Sequence, residues 1–108
     1  MKTIFLDRDG TIIKEKDYLA STEGIELETG VLPALQLLLE NNYQLIMVTN
    51  QSGIARHKFT LERFFEIQDH LLKLLEKENI FFKDYFYCPH HPTEGFAPYK
   101  QICSCRKP

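Results

Sequence analysis

Two carboxylates stand where the first apolar run of the chain stops, in Phe5-Leu6-Asp7-Arg8-Asp9-Gly10-Thr11. Thr3 to Leu6 is short and apolar enough to read as a buried strand, and Asp9-Gly10 is the turn signal that ends it. In an open parallel sheet the ligand crevice lies beyond the carboxyl ends of the strands, which would put Asp7 and Asp9 where chemistry is done. The same Asp-Gly pair also suits a tight hairpin, with Asp7 merely facing water. A second polar cluster, Thr49-Asn50-Gln51-Ser52-Gly53, closes the apolar run Gln44 to Thr49. A hydroxyl, two amides and free backbone N–H groups ahead of a helix can surround a phosphate oxygen without any side-chain charge. Thr, Asn and Ser equally cap ordinary helices. What favours function is the conjunction: two strands deliver complementary groups to one edge.

The third group of chemically capable residues is soft. Cys88-Pro89-His90-His91 and Cys103-Ser104-Cys105 offer three thiolates and an imidazole, enough for one tetrahedral zinc. In extended backbone, residues two apart point the same way, so Cys88 pairs with His90 and Cys103 with Cys105, while His91 points away. The spacing is unlike that of a zinc finger, and free thiols in a loop are the plainer alternative. The intervening segment, with Pro92, Gly95 and Pro98, has no periodicity and could hardly bury a core of its own. Zinc would fix it, since structural sites supply on the order of 10 kcal/mol of ordering free energy. With all four positions filled by protein, such a zinc would be structural. Arg106 and Lys107 follow the last cysteine directly, so a pinned Cys105 would aim two cations, which suits a phosphate.

The elements that must position these groups follow in order. Thr11 to Tyr18 carries Lys14, Glu15, Lys16 and Asp17 and reads as a polar flap or hairpin beside the first strand tip. Val31 to Glu40 has leucines at helical spacing, with Pro33 in the permitted first turn and Asn41-Asn42 as the stop. Gln44 to Thr49 is a second buried strand, and strand, helix, strand in this length predicts a right-handed parallel crossover. From Thr60, the positions Leu61, Phe64, Phe65, Ile67, Leu71, Leu72, Leu74 and Leu75 keep a 3.6-residue period to about Glu78; these aromatics read as core. Phe81 to Tyr87 is the next strand.

Composition narrows the class. With 108 residues, 44% of them hydrophobic, the chain reads as one α/β domain spanning 1–108, with a zinc loop over 88–105. A formal charge of −2 provides no general attraction to nucleic acid or an anionic membrane. Met1-Lys2-Thr3 leads straight into the first strand, so no signal peptide is expected, and no run approaches membrane-spanning length. Three cysteines, all in the last quarter, suit metal or thiol chemistry in a reducing compartment better than a disulfide framework; the expected location is the cytoplasm.

Four motifs together resemble the haloacid dehalogenase superfamily: Asp7-Arg8-Asp9-Gly10-Thr11, Val48 to Arg56, Cys88 to Pro92 and Cys103 to Pro108. Within it they look most like the heptose 1,7-bisphosphate 7-phosphatase branch, with histidinol-phosphatases as neighbours, the stretch between His90 and Cys103 being more similar to the former. The resemblance implies a Rossmann-like parallel sheet with flanking helices and no large cap. It implies a Mg2+-dependent phosphatase acting on a small sugar phosphate, with Asp7 as nucleophile, Asp9 as general acid and base, Thr49 on the phosphoryl oxygens and Lys107 stabilising their charge. Arg8, Glu15, Lys16, Asp17, Tyr18, Asn50, Gln51, Ser52 and Arg106 would contact substrate. Mg2+ would be held by Asp7 and the backbone carbonyl of Asp9, and structural Zn2+ by Cys88, His90, Cys103 and Cys105. Family members continue beyond the counterpart of Pro108 with two more strands and an acidic loop that completes the magnesium site. The resemblance therefore implies the N-terminal portion of a longer, monomeric enzyme, whose first strand here has an open edge. Asp17 and His57 stand where the family commonly has glycine.

Overall fold

The computed structural model describes residues 1–16, 19–51 and 58–88. Its strands are β1 (Lys2–Asp7), β2 (Tyr43–Asn50) and β3 (Asp84–Cys88), and its α-helices α1 (Val31–Glu40) and α2 (Leu61–Glu76). The sheet is parallel in the order β1-β2-β3, with Asp7 opposite Val48 and Asn50 opposite Cys88. The expected crossovers are thus present, β1 and β2 each extending one residue beyond their anticipated ends. The third differs most. It starts at Asp84 because Lys83 N donates to Leu45 O at 2.8 Å and Tyr85 N to the Asp84 side chain at 2.7 Å, while Phe81 is left 55% exposed outside the ladder.

Local signals set the helix ends. Gly30, at φ +81°, adopts the left-handed conformation just before α1, and Pro33 falls in the first turn, where its missing N–H costs nothing. Asn41 closes α1 through its side-chain amide, which donates to Leu37 O at 2.8 Å, and Asn42 turns the chain away at φ +64°. Thr60 caps α2, its hydroxyl accepting from Arg63 N at 3.1 Å.

Two right-handed crossovers stepping the same way along the sheet must put both helices on one face. The buried cluster agrees: Val31 and Leu35 of α1, Leu45 and Met47 of β2, and Ile67, Leu71 and Leu75 of α2 form a single core. On the opposite face the register aligns Phe5 with Ile46 and Val48 with Phe86. Phe5 and Phe86 are 62% and 55% exposed, so among the described residues this apolar face has no helical cover. Parallel sheets are ordinarily buried on both faces. Among the described residues β1 is also an edge strand, as the resemblance implied. No described helix is long and apolar enough to cross a membrane.

Residues 11–16 depart from the polar flap that their charges suggest. Ile12 and Ile13 are fully buried in the core, because the turn after Gly10 folds them inward. Thr11, Ile12 and Ile13 all donate their N–H groups to Arg8 O, and Glu28 N donates to Ile12 O at 3.0 Å.

The core assignment is checked on α2. Leu71→Ala, at a fully buried position, should lower unfolding free energy by about 2–5 kcal/mol in urea titrations. Phe65→Ala, at a position 39% exposed on the same helix, should cost clearly less.

Candidate active site

The parallel register brings the carboxyl ends of β1 and β2 together, and the contacts at that edge centre on Asp9. Its Oδ2 accepts from Thr49 Oγ1 at 3.3 Å and from Gln51 Nε2 at 3.0 Å. Gln51 Nε2 also donates to Thr49 Oγ1 at 2.7 Å, and its backbone N–H donates to Cys88 O at 2.7 Å. One residue from β2 and the next but one are therefore tied both to the carboxylate after β1 and to the tip of β3. Thr49 and Gln51 are buried at 4% and 7% exposure; Asp7, Asp9 and Asn50 are half-buried.

Gly10 makes the turn that lets Asp9 face this edge. Its φ of +83° is left-handed, which strains any side-chain-bearing residue, and an added Cβ would lie 3.8 Å from the Glu15 carboxylate. Glu15 thus lies over the glycine turn. Lys16 is directed to Glu26, its Nζ 3.0 Å from Oε1, with Lys14 Nζ 3.0 Å from Oε2 of the same carboxylate. Hydrogen bonding from Lys16, then from Lys14, holds the Glu26 carboxyl below the usual carboxylate range; pairing with Glu26 raises the Lys14 ammonium.

Arg8 is placed otherwise than as an open substrate contact. Its guanidinium is 1% exposed, with Nε 3.2 Å and Nη2 3.4 Å from the two oxygens of Asp9. Nη1 donates to Gln68 Oε1 at 3.2 Å, and the guanidinium carbon lies 5.4 Å from the centre of the Phe64 ring. Gln68, fully buried, donates in turn to Met47 Sδ at 3.2 Å. Sequence reasoning passed over Gln68 and took Phe64 as core only. The signal was there: Gln68 is the one amide on the stripe Phe64, Ile67, Leu71, Leu75, and a polar group is kept on such a stripe only with a partner.

Asp17, Tyr18, Ser52, His90, Cys103, Cys105, Arg106 and Lys107 lie outside the described residues. Of the expected zinc ligands only Cys88 is described: it is buried at the end of β3, paired with Asn50 beside the candidate site. Of the expected magnesium ligands, Asp7 ends β1, and no N–H among the described residues is directed at the Asp9 carbonyl.

A family model described as polynucleotide kinase 3 phosphatase matches residues 2–108. The chain belongs to this phosphatase family. It is 41% identical over 105 residues to the D-glycero-beta-D-manno-heptose-1,7-bisphosphate 7-phosphatase of Salmonella typhi, covering 97% of this chain and 56% of the relative. It is 40% identical over 107 residues to the enzyme of that name from Haemophilus influenzae, covering 99% and 58%. The family member therefore spans little more than half the length of these relatives. Among solved structures, the D,D-heptose 1,7-bisphosphate phosphatase of B. bronchiseptica, complexed with magnesium and phosphate, superposes with a TM-score of 0.83 at 32% identity, over 99% of this chain and 56% of that one. A HAD-like phosphatase from Mesorhizobium loti gives 0.89 at 34% identity, over 99% and 51%. The haloacid dehalogenase resemblance of the motifs is thereby borne out, as is the parallel α/β fold.

The Glu26 contacts carry a pH signature. A depressed carboxyl pKa contributes stability that is complete above the unfolded value, near 4.5, and is lost as pH falls through the folded value. Glu26→Gln should therefore lower the thermal midpoint slightly at pH 7, and the difference should vanish in acid, below the depressed pKa. A difference that persists unchanged in acid would show that the lysine pairs are not its source.

Proposed function

We propose that this chain carries the nucleophile half of a Mg2+-dependent phosphatase that removes the 7-phosphate from D-glycero-D-manno-heptose 1,7-bisphosphate. The observation that carries this is the meeting of Asp9 with Thr49 and Gln51 at the carboxyl ends of two parallel strands, directly after Asp7. Asp7, the last residue of β1, attacks phosphorus and becomes an aspartyl phosphate while the sugar oxygen departs; water then attacks the same phosphorus and frees the carboxylate. Asp9 gives a proton to the departing oxygen and takes one from that water, a role that needs its carboxylate held in one place. Thr49, Asn50, Gln51 and Ser52 hydrogen-bond the phosphoryl oxygens or the sugar. Glu15, Lys16, Asp17 and Tyr18 border the mouth through which the sugar enters, and Lys107 and Arg106 bring positive charge to the two phosphates.

The donor set suits a hard divalent cation: the Asp7 carboxylate and a carbonyl at Asp9 that no described N–H occupies, with the Asp9 carboxylate already taken up by three side chains. Bound there, Mg2+ offsets the repulsion between an anionic nucleophile and an anionic substrate. Zn2+, held by Cys88, His90, Cys103 and Cys105, has a structural part, fastening the segment that leads to Arg106 and Lys107. A charge of −2 favours a small sugar phosphate over the polynucleotide of the family's name. The face and edge of β1, uncovered among the described residues, favour a working form in which the sheet is continued by the part of the relatives that these 108 residues do not match. A cytoplasmic location and a monomeric state accord with that reading.

Inorganic phosphate released from heptose 1,7-bisphosphate with Mg2+ present is the direct test. Asp7→Asn should lower turnover at least about 10³-fold, and full activity in that variant would remove Asp7 from its role. Preference for histidinol phosphate, by ratio of kcat/KM, would change the substrate and keep the site. Metal analysis of protein purified without chelator should find about one zinc per chain; none would refute the four-ligand site.

A further inference from the structure

We propose that Arg8 is a positioning residue, which, braced by Gln68 and Phe64 of α2, fixes the Asp9 carboxylate toward the substrate oxygen. This rests on the phosphatase reading above. Adjacent side chains on a strand point to opposite faces, but Arg8 and Asp9 follow the end of β1, where the turn into Gly10 lets the two converge. The guanidinium meets both carboxylate oxygens, at 3.2 and 3.4 Å, in the fork geometry that fixes a carboxylate in plane as well as in distance. A lysine would offer a point charge and no plane.

Burial makes the arrangement rigid. Asp9 is the one carboxylate bonded to this guanidinium among the described residues, and a buried cation that loses such a partner is strongly unfavourable. The remaining donor face is taken by Gln68 Oε1, and the ring of Phe64 lies at cation–π distance. Phe64 itself packs against Tyr87 of β3, ring centres 4.9 Å apart and planes tilted by 39°, so the brace runs from α2 and β3 into the site. Asp9 is 24% exposed where Arg8 is 1% exposed. The carboxylate alone can reach substrate; the arginine acts through it.

The full chain with Mg2+ and heptose 1,7-bisphosphate provides one arm of the test. Arg8→Lys keeps the charge and loses the fork; Gln68→Glu offers the guanidinium a competing carboxylate and keeps the helix. Each should lower kcat about 10²-fold, the cost of a small misplacement, with KM within about twofold. A raised KM with kcat kept would make Arg8 a substrate ligand, and wild-type kinetics would make it a spectator; either overturns the proposal. The second arm needs no turnover. In 15N-labelled protein the Arg8 Nε–H signal should exchange slowly with water, vanish in Arg8→Lys, and shift in Asp9→Asn and Gln68→Glu while the backbone spectrum keeps its pattern. A fast-exchanging signal like those of the other arginines would refute the brace. Absence of phosphate release from the unaltered chain counts against the phosphatase reading and leaves this spectrum to decide on Arg8.

Discussion

The site depends on parallel pairing of β1 with β2 in a register that sets Asp7 opposite Val48. Because side chains alternate along a strand, a slip of one residue would turn Thr49 to the other face of the sheet and break its bond to Asp9. The core enforces the register. Leu45 and Met47 lie on the helix-covered face with Thr49, so that slip would also expose the largest apolar contacts of β2. Packing and chemistry are thus two consequences of one alignment, and the hydrophobic core holds the polar cluster in place.

The same alignment accounts for the asymmetry of the molecule. Both crossovers lie on one face, which leaves Phe5 and Phe86 at the surface of the other, and among the described residues β1 has an open edge. Exposed apolar surface on an edge strand invites pairing with another segment. The strand that bears the proposed nucleophile therefore has an edge that further chain could cover. That fits with relatives of which this chain matches 56–58% of the length.

The order of elements was legible in the sequence because each carries a strong local signal: the apolar run before Asp7, the leucines around Pro33, the long period through α2. So was the meeting of Thr49 and Gln51 with Asp9, which follows from strand order and polar residues at two strand ends. The burial of Ile12 and Ile13 was not, since the neighbouring charges Lys14, Glu15 and Lys16 mask two apolar residues whose direction is set by the turn at Gly10. The buried seat of Arg8 was not legible either, for a related reason. In one dimension nothing marks a charged residue between two carboxylates as buried, and only the tertiary approach of Gln68, sixty residues away, and of Phe64 offers it a buried place.

Chemical trapping of the phosphorylated residue probes the central claim most directly. Acid-quenched protein, taken during turnover and reduced with borohydride, should yield homoserine at position 7, read by peptide mass spectrometry, because only an acyl phosphate is reduced there. Phosphate release with homoserine at position 9, or with none anywhere, would contradict the account.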